Sequence, residues 1–341
     1  MNLIAKMVPP PRNVSLVIFV LLLLMNTVCF SADEWVKKAD MPVAKADHAT
    51  CVINGKIIIF GGSNKNSALP SVEEYSPLAD KWTKKQDMPE AKSAHQICLV
   101  NGKIYIISNI FNPNLVVEYD WQKNIWENKE VMPTIRMWPS ACTLNGLIYV
   151  FGGTAGNGAV KSNIEVYDPS KNEWTKKKDM PIGREGFSTS VIKDKIYVIG
   201  GWRPNQFLAT VEEYNPVTEE WINKSPMPTG RCYFTTCVVN EKIYVMGGVK
   251  DFGSALTTVE MYDPNTDTWE KKADMKIARY CPSSAVVDGR IFVTGGNPRF
   301  YAAFPDEPLS SVEEYDTGFR PQNVSNIDNL SSTWGSIKSI K

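Results

Sequence analysis

Residues 31–42 read SADEWVKKADMP, and the phrase returns five times as a tryptophan, a few polar and basic residues, then Met-Pro or a close variant. The tryptophans are Trp35, Trp82, Trp126, Trp174, Trp221 and Trp269, at intervals of 47, 44, 48, 47 and 48 residues. A fixed period of this length indicates a propeller or a solenoid. Within each interval come a run of small and β-branched residues such as SACTL or TTCVV, a turn such as NG or NE, a strand of the type KIYVIGG, a variable loop, VEEY, and a turn into the next tryptophan. Asn-Gly at 54–55, 101–102 and 145–146 is the favoured two-residue hairpin turn. Four short antiparallel strands per repeat make one propeller blade.

Lettered A to D in that order, strand A recurs around residues 49, 96, 140, 188, 235 and 283, but the first copy of strand D, at Trp35, precedes the first strand A. The last repeat has Tyr315 and then DTGFRPQN, with Gln322 at the tryptophan's place. The chain is therefore expected to be an all-β, six-bladed propeller over residues 33–320. Its ring closes when the strand around Trp35 supplies the missing outer strand of blade six. The tail, 321–341, is rich in Ser and Asn, lacks the apolar content for a core, and is expected to be flexible.

The repeats resemble those of the kelch family. A glycine pair ends strand B at Gly61-Gly62, Gly152-Gly153, Gly200-Gly201, Gly247-Gly248 and Gly295-Gly296. A tyrosine stands seven residues before the tryptophan at Tyr75, Tyr119, Tyr167, Tyr214 and Tyr262. Two departures stand out: Ser108-Asn109 replaces Gly-Gly in blade two, and Met275-Lys276 replaces Met-Pro before blade six. The resemblance implies the propeller fold. It leaves function open, because kelch propellers include scaffolds, peptide receptors and a few enzymes.

Lys plus Arg and Asp plus Glu both number 37, so no global basic field exists to gather nucleic acid. The run VSLVIFVLLLLMNTVCF, 14–30, follows Lys6 and Arg12 and precedes small residues. Residues 1–32 thus read as a signal peptide, and the mature protein as exported, periplasmic or extracellular, without membrane insertion. The alternative is a membrane anchor formed by residues 14–30. Val28 disfavours lipid attachment at Cys29. Cys51, Cys98, Cys142 and Cys237 occupy one strand-A position shared with Ser190 and Ala285, which asks for small side chains rather than disulfides. Cys232 and Cys281, in adjacent connections, are the one conceivable pair.

In an up-and-down blade the D-to-A connections and the B-to-C loops emerge on one face, where function is expected. Lys45, Lys92, Arg136, Arg184, Arg231 and Arg279 hold one equivalent position in all six D-to-A connections. The kelch resemblance places such cations around the channel mouth, where they line the pocket in propellers that bind acidic peptides. The competing reading makes them staples between blades. Trp138, Tyr233 and Tyr280 follow closely on the cations, and the B-to-C loops add Trp202, Arg203 and the insertion 297–311 with Phe300, Tyr301 and Phe304. Aromatic faces beside cations suit sugars or peptide side chains. The lysines after the tryptophans are expected to guard the outer edge and to pair with Glu73, Glu212, Glu260 and Glu313 on strand C.

Only two histidines are present, His48 and His95, too few for the copper–radical oxidases of this family, and no metal, phosphate-loop or nucleophile motif occurs. No cofactor or metal is expected. The leading expectation is a monomeric, non-catalytic module, more an interaction protein than an enzyme, that binds a protein or glycan of acidic character through the residues of this face. One alternative is a carbohydrate epimerase or mutarotase, because some exported six-bladed kelch propellers are sialic acid mutarotases; there Glu185, beside Arg184 and facing Arg231, is the candidate acid/base. The other is a structural module of the cell envelope.

Overall fold

The computed structural model describes residues 33–65, 67–300 and 307–321. The expected leader, Tyr301, Phe304 and the tail beyond 321 lie outside them.

Six four-stranded antiparallel sheets form the blades. Their strands A to D are Ala49–Ile53, Lys56–Phe60, Val72–Ser76 and Lys81–Lys84 in blade one, then Gln96–Val100, Lys103–Ile107, Val116–Asp120 and Ile125–Asn128 in blade two. Blade three has Ser140–Leu144, Leu147–Phe151, Ile164–Asp168 and Glu173–Lys177; blade four has Ser188–Ile192, Lys195–Ile199, Val211–Asn215 and Glu220–Lys224. Blade five has Thr235–Val239, Lys242–Met246, Val259–Asp263 and Thr268–Lys272. Blade six has Ser283–Val287, Arg290–Thr294 and Val312–Asp316, and its outer strand is Trp35–Lys38. At the three Asn-Gly turns both residues have positive φ, as the hairpin type requires.

The ring closes as the repeat count demands. Trp35 pairs with Tyr315 in the register that Trp82 keeps with Tyr75, and the two rings lie 5.1 Å apart. Tyr75 donates its hydroxyl to Asp80, five residues on, at 2.6 Å; Tyr315 does the same to Asp33 from 282 residues away, also at 2.6 Å. The Trp35 indole donates to the carbonyl of Ala273 in the connection leaving blade five, as Trp82 donates to that of Ala39. The clasp thus reproduces the pairing, the ring contact and the two hydrogen bonds of an internal outer strand.

Each blade buries its faces against its neighbours, so the core is a series of inter-blade layers. Phe60 and Val72 of blade one share a cluster with Ile97, Ile104 and Val117 of blade two. Strand A lines the central channel with small residues. There Ser140 meets Thr189, Ser188 meets Thr236, and Thr235 meets Ser284 through hydroxyl contacts of 2.7–2.9 Å. Cys51, Cys98, Cys142 and Cys237 are buried on the same strands, where burial pushes the thiols of Cys51 and Cys98 up to about 12. The described cysteines form no disulfide, Cys232 and Cys281 included. No helix among the described residues is long and apolar enough to cross a membrane.

The lysines of strand D do not meet the expected glutamates. Glu73, Glu212, Glu260 and Glu313 face inward and are buried, while the adjacent Glu74, Glu213 and Glu314 take Lys85, Lys224 and Lys38. Successive strand residues point to opposite faces, so a shift of one position exchanges an edge partner for a core one.

Candidate active site at the channel mouth

The inward glutamates belong to five of the six cations. Lys45, Arg136, Arg184, Arg231 and Arg279 are fully buried and pair with Glu73, Glu165, Glu212, Glu260 and Glu313. Arg231 is typical. Its carbonyl accepts from Gly201 of blade four, while its guanidinium donates to the carbonyls of Gly247 and Thr258 and to Glu260 of blade five at 2.8–3.1 Å. Each such residue fastens one blade to the next, and its charged atoms turn into the joint instead of the mouth. Blade two departs, because Val117 stands where the others have glutamate. Lys92, only 3 % exposed, reaches the exposed Glu90 at 3.4 Å. In the same blade Ser108 donates its hydroxyl to the Arg136 carbonyl, replacing the amide contact that the second glycine provides elsewhere.

Two residues beyond each cation the chain enters the left-handed region, at Asp47, Ala94, Trp138, Gly186, Tyr233 and Cys281, with φ between 47° and 59°. These positions ring the mouth. Backbone hydrogen bonds of 2.7–3.2 Å run from Tyr233 to Gly186, Cys281 to Tyr233, Asp47 to Cys281 and Ala94 to Asp47. Among the described residues this belt has no equivalent bond at Trp138, whose side chain is half-buried.

Inside the belt, one carboxyl is not spent on a cation. Glu185, 7 % exposed, accepts a hydrogen bond from the Tyr233 hydroxyl at 3.0 Å, with the Thr154 hydroxyl as a second hydrogen-bonding group. Burial raises its pKa, and the two hydroxyl contacts only partly oppose that. Burial and the neighbouring Glu185 likewise raise the pKa of the Tyr233 phenol. The pair depends on Gly186. A Cβ there would come within 2.8 Å of the Tyr233 ring, so only glycine lets the tyrosine lie across this backbone and reach Glu185. The expected clamp from Arg184 and Arg231 does not form, since both guanidiniums are consumed in their joints.

The other face residues fall on both sides of this pair. Trp202 heads a two-stranded hairpin, Trp202–Arg203 with Gln206–Phe207, and its backbone bridges to Glu185. Arg203 is exposed and donates to Gln206 at 2.7 Å. Tyr280 is buried, its backbone bridged to Asn297. Below the mouth the channel holds a cavity of about 110 Å³ between His48, Gln96, Ser140, Ser188, Thr235 and Ser283. Sequence reasoning missed Thr154, Phe207 and Phe252. Thr154 could have been found, because it follows the glycine pair of blade three as Trp202 follows that of blade four.

A family model for the KLHDC2/KLHL20/DRC7 kelch-repeats domain matches residues 108–296, and a kelch-motif model matches residues 44–89. The chain belongs to the kelch-repeat family. No curated protein matches it by sequence. Among solved structures it is similar to one described as the structure of YjhT, with a TM-score of 0.68 and 17% identity over 80% of this chain and 95% of that one. At that identity the likeness is one of fold. The leading expectation of a non-catalytic, non-enzymatic binding module gives way here to its enzymatic alternative, on a likeness that is one of fold alone.

Proposed function

We propose that the protein is a mutarotase-type enzyme that interconverts the anomers of a cyclic sugar at the channel mouth, with Glu185 as the proton-transferring group and Tyr233 as its positioning residue. The observation that carries this reading is the buried Glu185 carboxyl, raised in pKa and held by the Tyr233 hydroxyl at 3.0 Å. A carboxyl in its protonated form can act through both oxygens at once, and burial favours that form at Glu185. Its O–H gives a proton to the ring oxygen as the C–O bond to the anomeric carbon breaks. Its carbonyl oxygen takes the proton from the anomeric hydroxyl as that C–O becomes a carbonyl. Rotation about the adjacent C–C bond and the reverse transfers close the ring on the other face, with the carboxyl restored. Tyr233 fixes the carboxyl's orientation by donating to Oε1. With Arg184 and Arg231 sequestered, the exposed Arg203, beside Trp202, is the cation placed to favour an acidic sugar such as sialic acid.

The test is anomer exchange measured by NMR on N-acetylneuraminic acid and on neutral reducing sugars, with protein from residue 33 onward. Wild-type protein is expected to accelerate exchange, with the rate falling as pH rises through the raised Glu185 pKa. Glu185→Gln is expected to remove about 10²–10⁴-fold of the acceleration. Absence of acceleration for every sugar defeats this reading.

A further inference from the structure

Leading away from Tyr233 is a run of aromatic rings that the acid–base chemistry does not use. Tyr233 lies against Phe300 with ring centroids 6.0 Å apart and planes 27° from parallel. Phe300 continues to Phe252 at 6.2 Å and 28°. Phe207, on the Trp202 hairpin, meets Phe252 edge-on at 5.3 Å, and Tyr280 supports Phe300 edge-on at 5.0 Å. The rings come from three different B-to-C loops and two D-to-A connections, so the run is assembled by the fold and not by one local segment. Backbone contacts fix it: the Phe300 amide donates to Gly253 at 3.2 Å, and Ser254 bridges to Arg299. Phe252, at its outer end, is 62% exposed.

We infer that this aromatic run is a second sugar subsite, and that the enzyme acts on the reducing end of an oligosaccharide whose neighbouring residue stacks on Phe300 and Phe252. The inference rests on the mutarotase reading for the first subsite. Three features favour a glycan over another apolar occupant. The planes of Tyr233, Phe300 and Phe252 turn by 27° and 28° at successive rings, and the outermost, Phe252, is open to the C–H face of a pyranose. Exposed polar side chains, Arg203, Gln206, Asp251 and Arg299, flank the rings on the same loops, where sugar hydroxyls would find partners. The run is also continuous with the catalytic carboxyl, because Tyr233 belongs to both. A free monosaccharide held at Glu185 would leave Phe252 unused.

Anomer exchange is compared for N-acetylneuraminic acid with its α2,8-linked dimer, and for glucose with lactose, using wild-type protein and Phe252→Ala. The expected result is a KM lower for the disaccharide than for its monosaccharide in the wild type. Phe252→Ala should raise the disaccharide KM about ten-fold while leaving its kcat and both monosaccharide constants alone. Equal treatment of the two sugar lengths by the wild type, or an equal effect of the substitution on both, overturns the second subsite while leaving the mutarotase reading intact. Should no sugar exchange faster, that reading fails, and saturation-transfer NMR decides the subsite by itself. Disaccharide signals that vanish with Phe252→Ala support it, and the absence of any disaccharide signal overturns it.

Discussion

Arg231 illustrates how a single residue can carry opposite meanings in sequence and in space. Six cations at one repeated position suggest a charged mouth, yet five of them close their own blade joints on a glutamate and at least one backbone or hydroxyl oxygen. Taking one member from such a buried pair leaves an uncompensated charge, at a cost of roughly 3–5 kcal/mol, whereas replacing both by apolar residues of similar volume is often close to neutral. Arg231→Met is therefore expected to lower the urea midpoint sharply. Arg231→Met with Glu260→Met should restore most of it. If the double variant is as unstable as the single, the backbone contacts of the guanidinium to Gly247 and Thr258 outweigh the ion pair. Blade two already shows a natural intermediate, with Val117 opposite Lys92.

At the scale of the strand, the outer edge of blade six depends on Trp35. Its ring is 2 % exposed and binds both Tyr315 and Ala273. Trp35→Ala is expected to cost about 3–5 kcal/mol, and differential hydrogen exchange should place the loosening first in strand C of blade six, residues Val312–Asp316. Protection lost evenly over all six blades would instead mean that the ring unfolds as one unit. This clasp was legible because strands have a countable order, and a tryptophan without a strand A before it needs a partner elsewhere. The partners of Glu73 and its equivalents were not legible. The sequence shows that glutamate alternates with apolar residues on strand C, but Glu73 and Glu74 adjoin, and only the sheet decides which one faces the core. The pairing of Glu185 with Tyr233 was hidden for a similar reason: the two stand 48 residues apart, brought together by the turn at Gly186.

Across the whole molecule, His48 and His95 make the fold sensitive to acid. Burial chiefly, and then Lys92, pushes the His95 pKa down to about 3, and burial with Lys45 holds His48 well below its usual value. Between pH 6.5 and these lower values the unfolded chain takes up protons that the native ring refuses. Stability is then present above pH 6.5 and declines as pH falls, by about 1.4 kcal/mol per pH unit for each histidine in the steep part of the window. Phe187 and Phe234 occupy the same position in blades four and five, each against the first glycine of the preceding blade's pair, as His95 lies against Gly61. His95→Phe is therefore expected to flatten the fall of melting temperature between pH 7 and 4. An unchanged slope would assign the acid sensitivity to His48 or to carboxylates such as Asp33, where burial opposes the Tyr315 hydroxyl, the Ala273 amide and Lys272, which together hold its pKa below the usual value. The clasp also has a kinetic side. Because Asp33 and Tyr315 lie 282 residues apart, the earliest strand to leave a ribosome must wait for nearly the whole propeller before it finds its place. During that interval the Trp35–Lys38 strand itself has no partner, so the speed of synthesis and the presence of a chaperone govern the yield of closed rings.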